Sequence, residues 1–70
     1  MTRKKVKSSM VCAIDYNEDL EVLEVEFTSG SVYQYEGVPK NEYYNLINSD
    51  SIGSFMRTCI IGVCPDHKIR

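Results

Sequence analysis

Residues 22–37 read VLEVEFTSGSVYQYEG, and the way this stretch folds decides the architecture of the chain. Leu23, Val25 and Phe27 alternate with Glu24 and Glu26, the period of a half-buried strand. Beyond Thr28-Ser29-Gly30, Tyr33 and Tyr35 alternate with Val32, Gln34 and Glu36. A three-residue loop ending in Gly suits a type I turn closed by a left-handed residue, which Gly adopts without a Cβ clash. That loop pairs Phe27 with Ser31, Val25 with Tyr33 and Leu23 with Tyr35, so the large apolar groups share one face. Glu24, Glu26, Gln34 and Glu36 fall on the other. A two-residue loop would oppose Val25 to Gln34 and mix the faces, so it is rejected.

Working outward, a first strand is predicted over Met10–Tyr16, with Met10, Cys12, Ile14 and Tyr16 sharing one parity. Asn17-Glu18-Asp19 turns it into the hairpin. Val38-Pro39 ends the sheet, because Pro cannot donate to a ladder but suits the first turn of a helix. The predicted helix Pro39–Asn48 buries Tyr43, Leu46 and Ile47. Ser51 or Ser54 caps a second helix whose Phe55, Met56, Cys59 and Ile60 repeat that spacing, and Gly62 stops it. The expected fold is α+β, a three-stranded antiparallel β-meander with two short helices on one face. Residues 1–8 are expected to be a disordered basic tail, 9–62 the domain, and 63–70 a C-terminal tail or edge segment.

Seventy residues make one domain with a small core, short of stability unless helped by association, disulfides or metal. Hydrophobic content of 43% and charged content of 26% are ordinary for a globular domain. No apolar run is long enough to span a bilayer, and MTRKKVKSS lacks the apolar stretch of a secretory signal. A cytoplasmic location, with Cys12, Cys59 and Cys64 reduced, is the expectation. Net charge is −2, but Arg3, Lys4, Lys5 and Lys7 crowd the first seven residues. From residue 8 onward four basic residues face all ten acidic ones, a net of −6. Such a body repels duplex DNA.

Catalysis finds no support. His67 is the only imidazole and lies in the tail, and the carboxylates alternate with core positions as a solvated strand face requires. The five tyrosines suggest a base-stacking platform, but the register puts Tyr33 and Tyr35 beneath the helices. Tyr44, one residue off the buried stripe, is left for a ligand or another subunit. Cys59-x4-Cys64-x2-His67 with Cys12 offers four zinc ligands at irregular spacing, and two of the thiols fall at apolar-face positions. No metal or cofactor is expected. The basic N-terminus is read as a solvating end rather than a nucleic-acid tether.

Ser8-Ser9, Ile14 with Tyr16, and the run Leu23-x-Val25-x-Phe27-x-x-Gly30-x-x-Tyr33-x-Tyr35-x-x-Val38-Pro39 resemble the KTSC domain. The resemblance continues through Tyr43 and Leu46 to Gly53-x-Phe55, and Tyr-x-Tyr followed by Val-Pro is its most specific element. The family is named after the C-terminal domain of some lysyl-tRNA synthetases and also occurs as free-standing small bacterial and phage proteins. The resemblance implies a meander-plus-helices fold, no known catalysis and, through the synthetase fusion, a link to RNA.

The expected function is a non-catalytic binding module for a nucleotide or nucleic acid, working as a homo-oligomer. Tyr44, Arg57, Lys68 and Arg70 are the candidate ligand-binding residues, gathered between subunits. Self-association is expected because Val22, Val32, Tyr44, Ile52, Ile61, Val63 and Ile69 lack an obvious burial site in one subunit. The alternative is a small phage-type protein that sequesters a signalling nucleotide or blocks a host protein through its acidic sheet face.

Overall fold

The chain forms β1 (Lys4–Lys5), β2 (Val11–Asn17), β3 (Val22–Phe27), β4 (Val32–Tyr35), α1 (Lys40–Ile47), α2 (Ile52–Phe55), a π-helical turn (Met56–Ile60) and β5 (Asp66–Lys68) in a computed structural model that describes residues 4–5 and 8–70. The hairpin has the register its loop dictates, with Leu23 opposite Tyr35 and Val25 opposite Tyr33. Phe27 N–H donates to Ser31 O at 2.9 Å and Gly30 N–H to Phe27 O at 2.9 Å. Gly30 stands at φ 96°, where a side chain would be strained. The class is α+β, and the apolar face of the sheet is covered by the helical layer.

The sheet is wider than the expected meander. Among the described residues it has five antiparallel strands in the order β1-β2-β3-β4-β5, and the two outer ones come from segments expected to be tails. Lys4 and Lys5 pair with Ile14 and Ala13, so this part of the basic segment is strand, not disordered tail. Residues 1–3 and 6–7 of that expected tail lie outside the described residues. Asp66–Lys68 pairs along β4, with Tyr33 opposite Lys68 and Tyr35 opposite Asp66. Strands of two and three residues carry no alternation of their own. They form because the open edges of a meander present backbone donors and acceptors.

Two other expectations change with this geometry. A β-bulge between Val11 and Ala13 turns Cys12 out to solvent, so Val11 and Ile14, not Cys12 and Ile14, carry the buried face. Val32 lies on the polar face yet is buried. The end of the chain runs beside it, Val32 N–H donating to Arg70 O at 2.9 Å and Ile69 N–H to Val32 O at 2.7 Å.

Leu23, Val25 and Tyr35 from the hairpin, Val11 and Ile14 from β2, and Leu46, Met56 and Ile60 from the helices form the buried cluster. Ser51 caps α2, its hydroxyl oxygen accepting Ser54 N–H at 3.3 Å. The helix then widens into the π turn, closed by Ile61 N–H to Met56 O at 2.7 Å, and Gly62 ends it at φ 79°. Val38, fully buried, donates its N–H to Glu21 O at 2.9 Å, while its own carbonyl accepts Tyr16 O–H at 2.6 Å. That second bond ties the sheet to the start of α1. We expect Tyr16→Phe to leave the fold intact and cost about 1 kcal/mol, the net worth of one such bond. For a domain this small that is a melting-temperature drop of about 4–8 °C. An unchanged melting temperature would show that water replaces the tyrosine hydroxyl at no cost.

Candidate functional site

Within one subunit the four candidate ligand residues do not come together. Arg70 reaches Glu26 on the acidic side of the sheet at 3.4 Å. Lys68 stands across from Tyr33 on edge strand β5. Tyr44 and Arg57 are exposed on the helical layer, whose buried side is marked by Leu46, Met56 and Ile60. The cause is register. Arg70 follows β5 along the sheet edge, so its side chain meets the face that bears Glu24, Glu26 and Gln34. Within one subunit the four are therefore divided between the layers, with Arg57 and Tyr44 on the helical side.

Arg57 lines a hollow of ≈ 230 Å³ with Ser8, Ser9, Met10, Asp50, Ser51 and Ser54. Two segments distant in sequence make it: the chain entering β2 and the start of α2. They pack closely because residue 53 is Gly. A Cβ there would stand 3.5 Å from Met10 Cβ and 3.9 Å from Ser8 Oγ, pressing into the seam. Ser8 Oγ accepts the N–H groups of Met10 at 3.1 Å and Val11 at 3.3 Å. Those bonds engage the oxygen's lone pairs, so what Ser8 offers a ligand is its O–H. Ser51 Oγ accepts a single bond, from Ser54 N–H, and likewise keeps its O–H to donate. Two hydroxyl donors and a guanidinium therefore meet one carboxylate, Asp50. That set suits a singly charged acceptor such as a phosphodiester oxygen better than a doubly charged phosphate. In the sequence, Ser51 and Ser54 read only as helix caps and Ser8-Ser9 only as a shared motif.

A second hollow, ≈ 470 Å³, is lined by Glu36, Gly37, Pro39, Glu42, Cys59, Val63, Cys64 and Pro65. Burial, and then the charge of Glu42, push the Cys64 thiol up, so it stays protonated near neutrality. The irregular zinc spacing is not assembled. Cys12 is exposed at the bulge, and His67 Nε2 is bound to the Glu36 carboxylate. Among the described residues no three His, Cys, Asp or Glu side chains come together as a metal site.

With this geometry in view, the model of the KTSC domain matches residues 7–63. The chain belongs to the KTSC domain family. The crystal structure of a KTSC domain protein from Yersinia pestis superposes with a TM-score of 0.95 at 35% identity, covering 99% of this chain and 97% of that one. A protein of Stutzerimonas stutzeri, described as uncharacterized, is 40% identical over 53 residues, 76% of this chain and 75% of its own length. The KTSC match begins one residue before Ser8 and takes in Gly53 and Arg57, so both walls of the smaller hollow belong to the KTSC domain itself. No helix among the described residues is long and apolar enough to cross a membrane.

Proposed function

We propose that this KTSC domain is a non-catalytic module that binds a nucleotide or single-stranded nucleic acid through its helical side. The observation that carries the reading is the hollow where Arg57 joins the hydroxyls of Ser8 and Ser51, on the side away from the sheet's carboxylates. Asp15, Glu24 and Glu26 stand on adjoining strands of the other face, and each has its own interactions there. A polyanion approaching the sheet is repelled, and one approaching the helices meets Arg57. The domain works in the cytoplasm, where such ligands are found.

Arg57→Ala is the direct test. Arg57 is exposed, so the variant folds. We expect its affinity for a short single-stranded oligoribonucleotide to fall about tenfold, as for loss of one charge-assisted bond. The slope of log affinity against log salt should fall by about 0.7, the share of one phosphate on a single strand. Binding that ignores Arg57, or no binding by the unaltered protein, overturns the reading.

Self-association is kept as part of the proposal on a smaller surface than expected. Val32 and Ile52 are buried and Val22 and Ile61 half-buried, which leaves Leu20, Tyr44, Val63 and Ile69 exposed. Val63, 66% exposed at the rim of the larger hollow, is the apolar group best placed for a second copy. Light scattering that returns a mass of 8.0 kDa at micromolar concentration removes this element.

A further inference from the structure

We infer that Tyr44 is a base-stacking subsite for single-stranded nucleic acid, separate from the Arg57 hollow. The reason lies in how the ring is supported. Tyr16 is fixed by its hydroxyl bond to Val38 O, and its ring stacks on Tyr43 with centroids 4.4 Å apart and planes 8° from parallel. Tyr43 in turn meets Tyr44 at 5.6 Å. The first two rings of this ladder are half-buried, while Tyr44 is 47% exposed at its outer end. An aromatic ring backed by a second ring that is itself stacked on a third loses little freedom when a flat ligand lands on it.

The neighbours of Tyr44 select the ligand. Lys40 Nζ lies 5.8 Å from the ring centroid and is held by Glu18 at 2.8 Å, so the place of a cation over this ring is already taken and its charge answered. A charged ligand gains little here. A neutral π-faced ligand with polar edges gains more. Asn41 and Asn48, three residues before and four after Tyr44 on the same helix face, supply those edges with amide partners. Asn48 Nδ2 donates to Tyr44 O at 2.9 Å, which leaves its amide oxygen to accept from a base. A nucleobase has that chemistry, and stacking on tyrosine tolerates all of them. Arg57, exposed on the same layer, supplies the phosphate contact.

This inference rests on the phosphate contact proposed at Arg57, and the experiment keeps the two apart. The probes are an oligouridylate and an abasic strand of equal length, titrated against the full chain by fluorescence anisotropy. The unaltered protein should favour the base-bearing strand about tenfold or more. That preference should collapse toward one in Tyr44→Ala and survive in Tyr44→Phe, which keeps the ring. Equal affinity of the unaltered protein for both strands, or a preference that persists in Tyr44→Ala, overturns the stacking subsite while leaving the Arg57 reading in place. Failure of the unaltered protein to bind either strand overturns both. Exposure of Tyr44 keeps its variants folded, and the melting temperature of each checks this.

Discussion

Tyr35→Ala is expected to unfold most of the protein at 37 °C. Tyr35 is the largest of the fully enclosed side chains, 2% exposed, on the strand that pairs with β3. It sits across from Leu23 in the cluster that includes Val38, Leu46, Met56 and Ile60. Its ring also packs on Tyr33, with centroids 6.4 Å apart and planes 24° from parallel. Removing such a ring costs about 3–5 kcal/mol, because the transfer energy of the lost atoms is joined by the cavity they leave. A domain of this length has roughly 4–10 kcal/mol in total, so the loss takes a large part of it. Thermal melts followed by circular dichroism should show a midpoint lowered by about 15 °C or more, with a broadened transition. Tyr35→Phe, which keeps the packing, should stay within a few degrees of the unaltered protein. A Tyr35→Ala midpoint unchanged from wild type would mean that the tyrosine faces solvent, and with it that the hairpin register is wrong.

That register was legible because three local signals agree: the alternation in residues 22–27, the glycine that closes the turn, and the alternation beyond it. Only one pairing satisfies them all. The helices were legible for the same kind of reason. Tyr43, Leu46 and Ile47, then Phe55, Met56, Cys59 and Ile60, keep a helical spacing that no strand would bury on one side. Three things escaped. β1 and β5 are too short for any period, and their positions come from the needs of the meander's open edges. The bulge at Cys12 costs one residue of phase, so Cys12, inward by strict alternation, is exposed, while Met10 still packs against the core. The candidate site is a different case: the charges of Arg57, Lys68 and Arg70 carry no information about which layer of the subunit each side chain leaves from. Ser8 and Ser51 are far apart in sequence and read individually as polar surface. Only the close approach allowed by Gly53 turns them into two walls of one hollow.

Stability should fall steeply in alkali, and Tyr35 is the main cause. Burial, reinforced by the nearby charge of Asp66, pushes its phenol up to about 12 from an ordinary value of 10.0. The folded state therefore binds the phenolic proton more tightly than the unfolded chain does. The stability this contributes is fully present below pH 10 and is lost as pH rises from 10 toward 12. Two units correspond to about 2–3 kcal/mol, or a melting temperature lower by about 10–20 °C in a domain of this size. Tyr16 and Tyr43 are raised in the same direction, chiefly by burial, and add to the effect. Cys64 is raised by burial and by Glu42, and loses its contribution earlier in the same climb. Lys40, raised by its bond to Glu18, shifts in the same direction, but that exposed pair is worth little. Melts at intervals from pH 8 to pH 12, read beside the tyrosinate absorbance, give the test. The tyrosinate signal should rise in two stages, the exposed rings first and the enclosed ones with unfolding. Tyr35→Phe should flatten the alkaline decline while leaving stability near neutrality almost unchanged. A single tyrosinate step near pH 10 with the fold intact would show that the Tyr35 hydroxyl is reached by water, and the assignment of its burial would have to go.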